Sequence, residues 1–168
     1  VRFKGVLILI QKSQILASIV QKLNHELQTI ELSAQAALEA ATHEESKAED
    51  QHDTRGLEAS YLARAQASRA AELNRLLLIF KLFPIREYTQ NDPIVPGALI
   101  GLELNQKLSL YFLVTHGGGT LIEVNSQVIQ LITPQSPLGD ALLGKKQGDI
   151  IEIESRGSVR EYKIVSVD

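Results

Sequence analysis

The chain has 168 residues, of which 44% are hydrophobic and 22% charged, a balance that suits one or two small domains able to bury a core and excludes a disordered or fibrous chain. It has no Cys, which excludes a disulfide framework, a thiolate zinc site and a cysteine nucleophile, and makes a cytoplasmic location the expectation. The formal net charge of −3 hides an asymmetry that excludes a uniformly basic nucleic-acid binder: residues 43–61 carry six acids against two bases, whereas the rest of residues 1–84 has an excess of bases.

In chain order, Val6–Ile10 is an apolar run too short to span a bilayer and without the small-residue cleavage site of a secretory signal, so no membrane association is expected and the run is read as packing on the rest of the fold. With no Met anywhere in the chain, residues ahead of Val1 are expected. From about Ser13 to about Asp50, Leu16, Val20, Leu23, Leu27, Ile30, Ala34, Ala37 and Ala41 recur at alternating steps of four and three, the spacing of a coiled-coil seam. At about 1.5 Å per residue that helix would be roughly 55 Å long.

The acidic stretch His43–Tyr61 follows, with Glu44, Glu45, Glu49, Asp50, Asp53 and Glu58. Taken by itself it is a solvated hairpin tip. Asp53 or Thr54 can cap a second helix with Glu58 in its first turn, but acids near the end of the first helix run against the helix dipole and call for another explanation. In the second helix Ala59, Ala63, Ala70, Leu73, Leu77 and Phe80 form a looser stripe, with Gln66 or Ala67 at the remaining position. Both stripes pass from large residues to Ala toward the acidic stretch, so the two helices should pack antiparallel as a hairpin. Arg64 and Arg75, eleven residues apart, share a face of the second helix, and Arg69 lies elsewhere. Without context they are surface arginines.

All five prolines and nine of the eleven glycines fall from Pro84 onward, which sets a boundary between a helical segment, 1–84, and a second domain, 85–168. In the latter, Ala98–Leu104, Leu108–Val114, Thr120–Val124, Val128–Ile132, Asp149–Glu154 and Val159–Val167 read as strands of a mostly antiparallel sheet. Gly117–Gly119 is a turn, and lacks the Lys-Ser/Thr of a phosphate-binding loop. Ser136 and Pro137 make an N-cap and N1 pair and Gly144 a C′ residue, so Pro137–Leu143 should be one short helix. The class is α+β. The four histidines have no metal-ligand spacing, and no Gly-x-Ser-x-Gly elbow occurs.

The run Ser136-Pro137-Leu138-Gly139-Asp140-Ala141-Leu142-Leu143-Gly144-Lys145-Lys146-Gln147-Gly148-Asp149 resembles the C-terminal signature of the bacterial Gre transcription elongation factors, and the order of hairpin then sheet domain resembles them over almost the whole chain. That resemblance implies an N-terminal coiled-coil finger followed by an FKBP-like domain that docks on RNA polymerase, here through Ser136, Pro137 and Leu138. The finger would enter the secondary channel of bacterial RNA polymerase as a monomer. Acids at its tip, Asp53 with Glu58 or Asp50, would help hold a Mg²⁺ shared with the polymerase active site and promote hydrolysis of backtracked nascent RNA, whose phosphates Arg64 and Arg75 would face. The factor would not be an enzyme on its own.

Cleaving members of that family typically show Asp-x-x-Glu-Asn-x-x-Tyr at the tip. Here Asp53 and Glu58 are five apart, the Asn is missing and Gly56 intrudes. The leading expectation, stimulated cleavage, therefore stands beside an alternative, a channel binder that does not cleave. A chaperone-like or isomerase-like protein is a third reading, opposed by an aromatic content of 5%, too low for an aromatic-lined cleft.

Overall fold

A computed structural model describes residues 2–3, 6–7, 10–42, 55–89, 91–155 and 157–168. The elements run β1 (Arg2–Phe3), β2 (Val6–Leu7), α1 (Lys12–Thr42), α2 (Arg55–Lys81), β3 (Leu99–Leu104), β4 (Lys107–Leu113), β5 (Leu121–Val124), β6 (Gln127–Ile132), α3 (Pro137–Leu142), β7 (Ile150–Ser155) and β8 (Ser158–Val167). They fall into two compact units, one of residues 1–19 with 82–168 and the other of residues 20–81. The break near residue 82 lies where proline and glycine enter the sequence, and residues 1–19 group with the sheet.

In the unit of residues 20–81, α1 and α2 run antiparallel. Arg69 Nη2 reaches Glu26 Oε2 at 3.2 Å and Gln66 Nε2 reaches Ser33 Oγ at 3.4 Å, so a step forward along one helix meets a step back along the other. Burial along the seam follows side-chain size. Leu23, Leu73, Leu77 and Phe80 are buried, Leu27, Ile30, Ala34 and Ala70 are half-buried, and Ala37 and Ala63 are exposed. Gln66 rather than Ala67 takes the open position of the second stripe: it is half-buried and bonded across the hairpin, while Ala67 is exposed. Thr54, the residue before α2, Asp53 and the stretch 43–50 lie outside the described residues.

The other unit is a six-stranded sheet in the order β5-β6-β4-β3-β8-β7, with β1 and β2 forming a separate antiparallel pair whose first strand lies beside β8. Two tight hairpins set the local register. Asn105-Gln106 joins β3 to β4 and Asn125-Ser126 joins β5 to β6, all four residues at φ between 48° and 64°, the left-handed pair that a two-residue turn needs for its twist to match the strands. The sheet is mostly antiparallel, as expected, but it is mixed, because one pair is parallel: β4 and β6, with Leu110 opposite Ile129 and Leu113 opposite Ile132. Residues 114–120 carry the chain past the position of β6 to the sheet edge, and the β5–β6 hairpin then returns it alongside β4 in the same direction. Gly117 and Gly119, at φ 77° and 85°, make that connection compact.

Period-two alternation decides which residues are inside. β5 alternates strictly, with Leu121 and Glu123 exposed and Ile122 and Val124 buried, as an edge strand does. The central strand β3 buries both faces: Ile100 and Leu102 join Leu113, Ile132, Leu142 and Ile164 in one cluster, while Leu99, on the opposite parity, is equally buried. The register of β3 on β8 shifts between Gly101 and Leu102, and this bulge leaves the Ser166 Oγ buried without a hydrogen-bond partner.

Candidate functional site

The Ser-Pro-Leu-Gly run forms the start of α3 as the sequence leads one to expect. Ser136 is extended (φ −81°, ψ 149°), and its Oγ accepts from the Gly139 N–H at 3.1 Å while donating to the Thr133 carbonyl at 2.8 Å. One hydroxyl thus caps the helix and ties it to the end of β6. Pro137 occupies the first turn, where a missing N–H costs nothing. Gly139 is required by close approach: a Cβ there would lie 2.0 Å from the Thr133 carbonyl oxygen. Gly118, on the β4–β5 connection, abuts the same residue, since its Cβ would be 2.9 Å from Thr133 Cγ2. Thr133 is therefore clasped from both sides.

The second half of the run is also structural. Gly144, at φ 74°, ends the helix, its N–H donating to the Ile94 carbonyl at 2.9 Å, and the Ile94 N–H donates to the Lys145 carbonyl at 2.8 Å. Asp149 Oδ2 accepts from the Lys146 N–H at 2.8 Å, closing the turn that leads into β7. These bonds account for Gly144 and Asp149 of the Gly-Lys-x-x-Gly-Asp sequence.

What remains for a partner is the outer side of the turn. Pro137 is exposed and Ser136 half-buried, whereas Leu138 is half-buried and packs on the core cluster, so it is shared between core and surface. Leu143, 36% exposed, adds an apolar side chain that the sequence reading assigned only to the helix. Beside them an open groove of ≈ 590 Å³ runs between α3 and the β4–β5 connection, lined by Gly118, Gln130, Thr133, Pro137, Leu138 and Ile153. Such a surface offers apolar contact stiffened by proline, with one ready-made rim of backbone.

The other candidates lie in the helical unit. Arg64 and Arg75 are exposed on α2 and, among the described residues, make no ion pair, while Arg69 is paired with Glu26 and with Glu72, at 2.8 Å. The structure thus separates a bridging arginine from two that make no ion pair among the described residues. Glu58 belongs to the first turns of α2, but its side chain, and Asp50 and Asp53 altogether, lie outside the described residues. No group of three or more His, Cys, Asp or Glu suited to a metal ion occurs among the described residues, and no described helix is long and apolar enough to cross a membrane.

A helical hairpin followed by a mixed-sheet unit that carries a serine-capped, proline-led helix is the order of elements that the resemblance to Gre factors leads one to expect. Residues 120–168 match the family model described as "Transcription elongation factor, GreA/GreB, C-term". The transcription elongation factor GreA of Thermotoga neapolitana is 45% identical over 38 residues, 23% of this chain and 24% of that protein. GreA of Bartonella henselae is 28% identical over 134 residues, 79% of this chain and 67% of that protein. The chain thus spans about a quarter of one relative and two thirds of the other in these matches. The solved structure of Thermus aquaticus Gfh1 is 23% identical, with 88% of this chain and 92% of that chain covered, at a TM-score of 0.39.

Proposed function

We propose that this chain is a Gre-type regulator that binds RNA polymerase through the α3 surface, reaches its secondary channel with the helical hairpin, and does not itself stimulate transcript cleavage. It is an accessory factor, not an enzyme, and acts as a monomer. The observation that carries the reading is the coincidence of the family match, residues 120–168, with a fully formed Ser136 cap, Gly139 contact and Asp149 turn. In this reading the half that docks is the half that matches the family model, and the sequence departs from the family's pattern in the acidic stretch. An FKBP-like label for the sheet unit rests on the resemblance alone.

Against cleavage stands the spacing of Asp53 and Glu58, five residues instead of three, with Gly56 between them and no Asn after Glu58. Holding a Mg²⁺ between two carboxylates and a phosphate depends on their separation, because the ion demands near-octahedral geometry. In this reading Mg²⁺ is the polymerase's own ion, and Arg64 and Arg75 serve nascent RNA or channel phosphates.

A backtracked elongation complex tests the two halves. The protein should co-purify with core polymerase, release no short 3′ RNA fragment, and slow the cleavage that an added GreA stimulates. Pro137→Glu, which places an acid where the helix dipole favours one, should keep the fold and weaken both binding and competition. Mg²⁺-dependent release of a 3′ fragment, abolished by Asp53→Asn, would restore the cleaving reading. Unaltered competition by Pro137→Glu would move the docking surface elsewhere.

A further inference from the structure

The start of α1 and the segment that follows α2 meet in an open hollow of ≈ 340 Å³ within the sheet unit, lined among others by Gln11, Ser13, Ile85, Glu87 and Asp168. Lys12 is half-buried in it. Its Nζ donates to the Arg86 carbonyl oxygen and sits 4.3 Å from the centre of the Tyr88 ring, on which the Arg86 guanidinium also lies, at 5.1 Å. Tyr88 is in turn fixed by its hydroxyl, which donates to the Val95 carbonyl at 3.1 Å. The amine is thus oriented at both ends of its reach, at the wall of a cleft that solvent enters.

We propose that Lys12 is an acylation site, its Nζ taking an acyl group from a small activated donor, an acyl phosphate or an acyl thioester. The neutral amine attacks the acyl carbon, and an N–C bond forms as the C–O bond to phosphate, or the C–S bond to thiolate, breaks. The leaving group departs with the electron pair, and the proton released by nitrogen goes to solvent. No oxidant or metal is needed.

Burial favours the neutral amine, against the pull of the Arg86 carbonyl and the Tyr88 ring toward the ammonium. Burial, above all, brings the Lys12 pKa down to about 8, with Arg86 adding to the effect while Asp168 and Glu87 oppose it. At pH 7.5 about a quarter of such an amine is neutral, against roughly 0.1% of an ordinary lysine. Lower basicity also lowers intrinsic nucleophilicity, by roughly tenfold for such a shift at the slope of thiolate attack. The net advantage is about tenfold or more. Acylation would remove the cation from the Tyr88 ring and reshape the contact with segment 85–88.

The intact protein is exposed to acetyl phosphate, and in a separate arm to acetyl-coenzyme A, and labelling of each lysine is followed by peptide mass spectrometry from pH 6.5 to 10. Lys12 should label about tenfold faster than the median lysine at pH 7.5 with at least one donor, and its rate should level off above pH 8 while the others continue to climb. Glu87→Gln, which removes an opposing charge at the surface, should move the break in the Lys12 profile to lower pH. Labelling of Lys12 no faster than the median with both donors, or a rate that rises to pH 10 in parallel with the other lysines, overturns the proposal.

Discussion

Replacing Gly139 by alanine puts a methyl group against a backbone atom that cannot turn away. In a solvent-facing helix the change would stabilise by about 1 kcal/mol through propensity. Here the new Cβ would start 2.0 Å from the Thr133 oxygen and 2.7 Å from its carbonyl carbon, so α3 must retreat by about 1 Å before the contact is tolerable. That retreat pulls apart the Ser136 bonds at 2.8 and 3.1 Å, a cap worth about 1 kcal/mol, and lifts Leu142, which is wholly buried. Adding about 2 kcal/mol for overpacking and subtracting the propensity gain leaves Gly139→Ala about 2 kcal/mol less stable, or roughly 8 °C in Tm for a unit of this size. Urea melts followed by tyrosine fluorescence suit the measurement, because Tyr88, Tyr111 and Tyr162 all belong to the sheet unit and the chain has no Trp. Gly144→Ala should lose only about 1 kcal/mol, since nothing lies within 4 Å and the cost is that of φ 74°. A Gly139→Ala protein as stable as the original, or one rescued by Thr133→Ser, would show that the carbonyl contact is not what requires glycine.

A Cβ at residue 101 would lie 2.6 Å from Ser166 Oγ, so Gly101→Ala should destabilise by about 1–3 kcal/mol; Ser166→Ala, which removes a buried unpaired hydroxyl, should be neutral or stabilising by about 1 kcal/mol, and the double variant should recover part of the loss in the same melts. Lys12 has a folded-state pKa of about 8, below its ordinary value, so charging it costs the folded state; that cost is whole below pH 8 and is relieved as pH rises toward 10. Lys12→Met should accordingly gain about 1 kcal/mol at pH 7, the full shift being discounted for partial exposure, and the gain should vanish by pH 10 in melts at both pH values. Arg69→Ala should cost up to about 1 kcal/mol as two exposed ion pairs are lost, whereas Arg64→Ala and Arg75→Ala should leave stability within about 0.5 kcal/mol and weaken polymerase binding mainly at low salt.

Strand positions were legible because alternation and turn residues are local: each of the six strands from Leu99 onward lies within a residue or two of its expected span, and Ser136, Pro137 and Gly144 bound α3 as their chemistry requires. Pairing partners were not. Whether β6 runs with or against β4 is set by where residues 114–120 take the chain, and alternation in Val128–Ile132 is the same in either case. The seam was legible as a stripe, but not the choice of Gln66 over Ala67, which depends on Ser33 standing opposite. At the site, Leu138 read as a presented side chain because an apolar residue in a turn gives no hint of the core beneath it, and the half-burial of Lys12 depends on Tyr88, seventy-six residues away.

The grading of the hairpin seam, from buried Leu23 and Leu73 to exposed Ala37 and Ala63, means that its two strands of helix are not held equally along their length. Each turn lost from the alanine end forfeits little buried area, whereas each turn at the leucine end forfeits about 1.5–3 kcal/mol per large side chain. Helix opening should therefore behave like a zipper that frays from one end, with amide protons beside Ala37 and Ala63 exchanging through small local openings and those beside Leu23 and Leu73 only through loss of the whole seam. The cross-links Glu26–Arg69 and Ser33–Gln66 lie between these limits, where a polar contact can set how far the fraying runs.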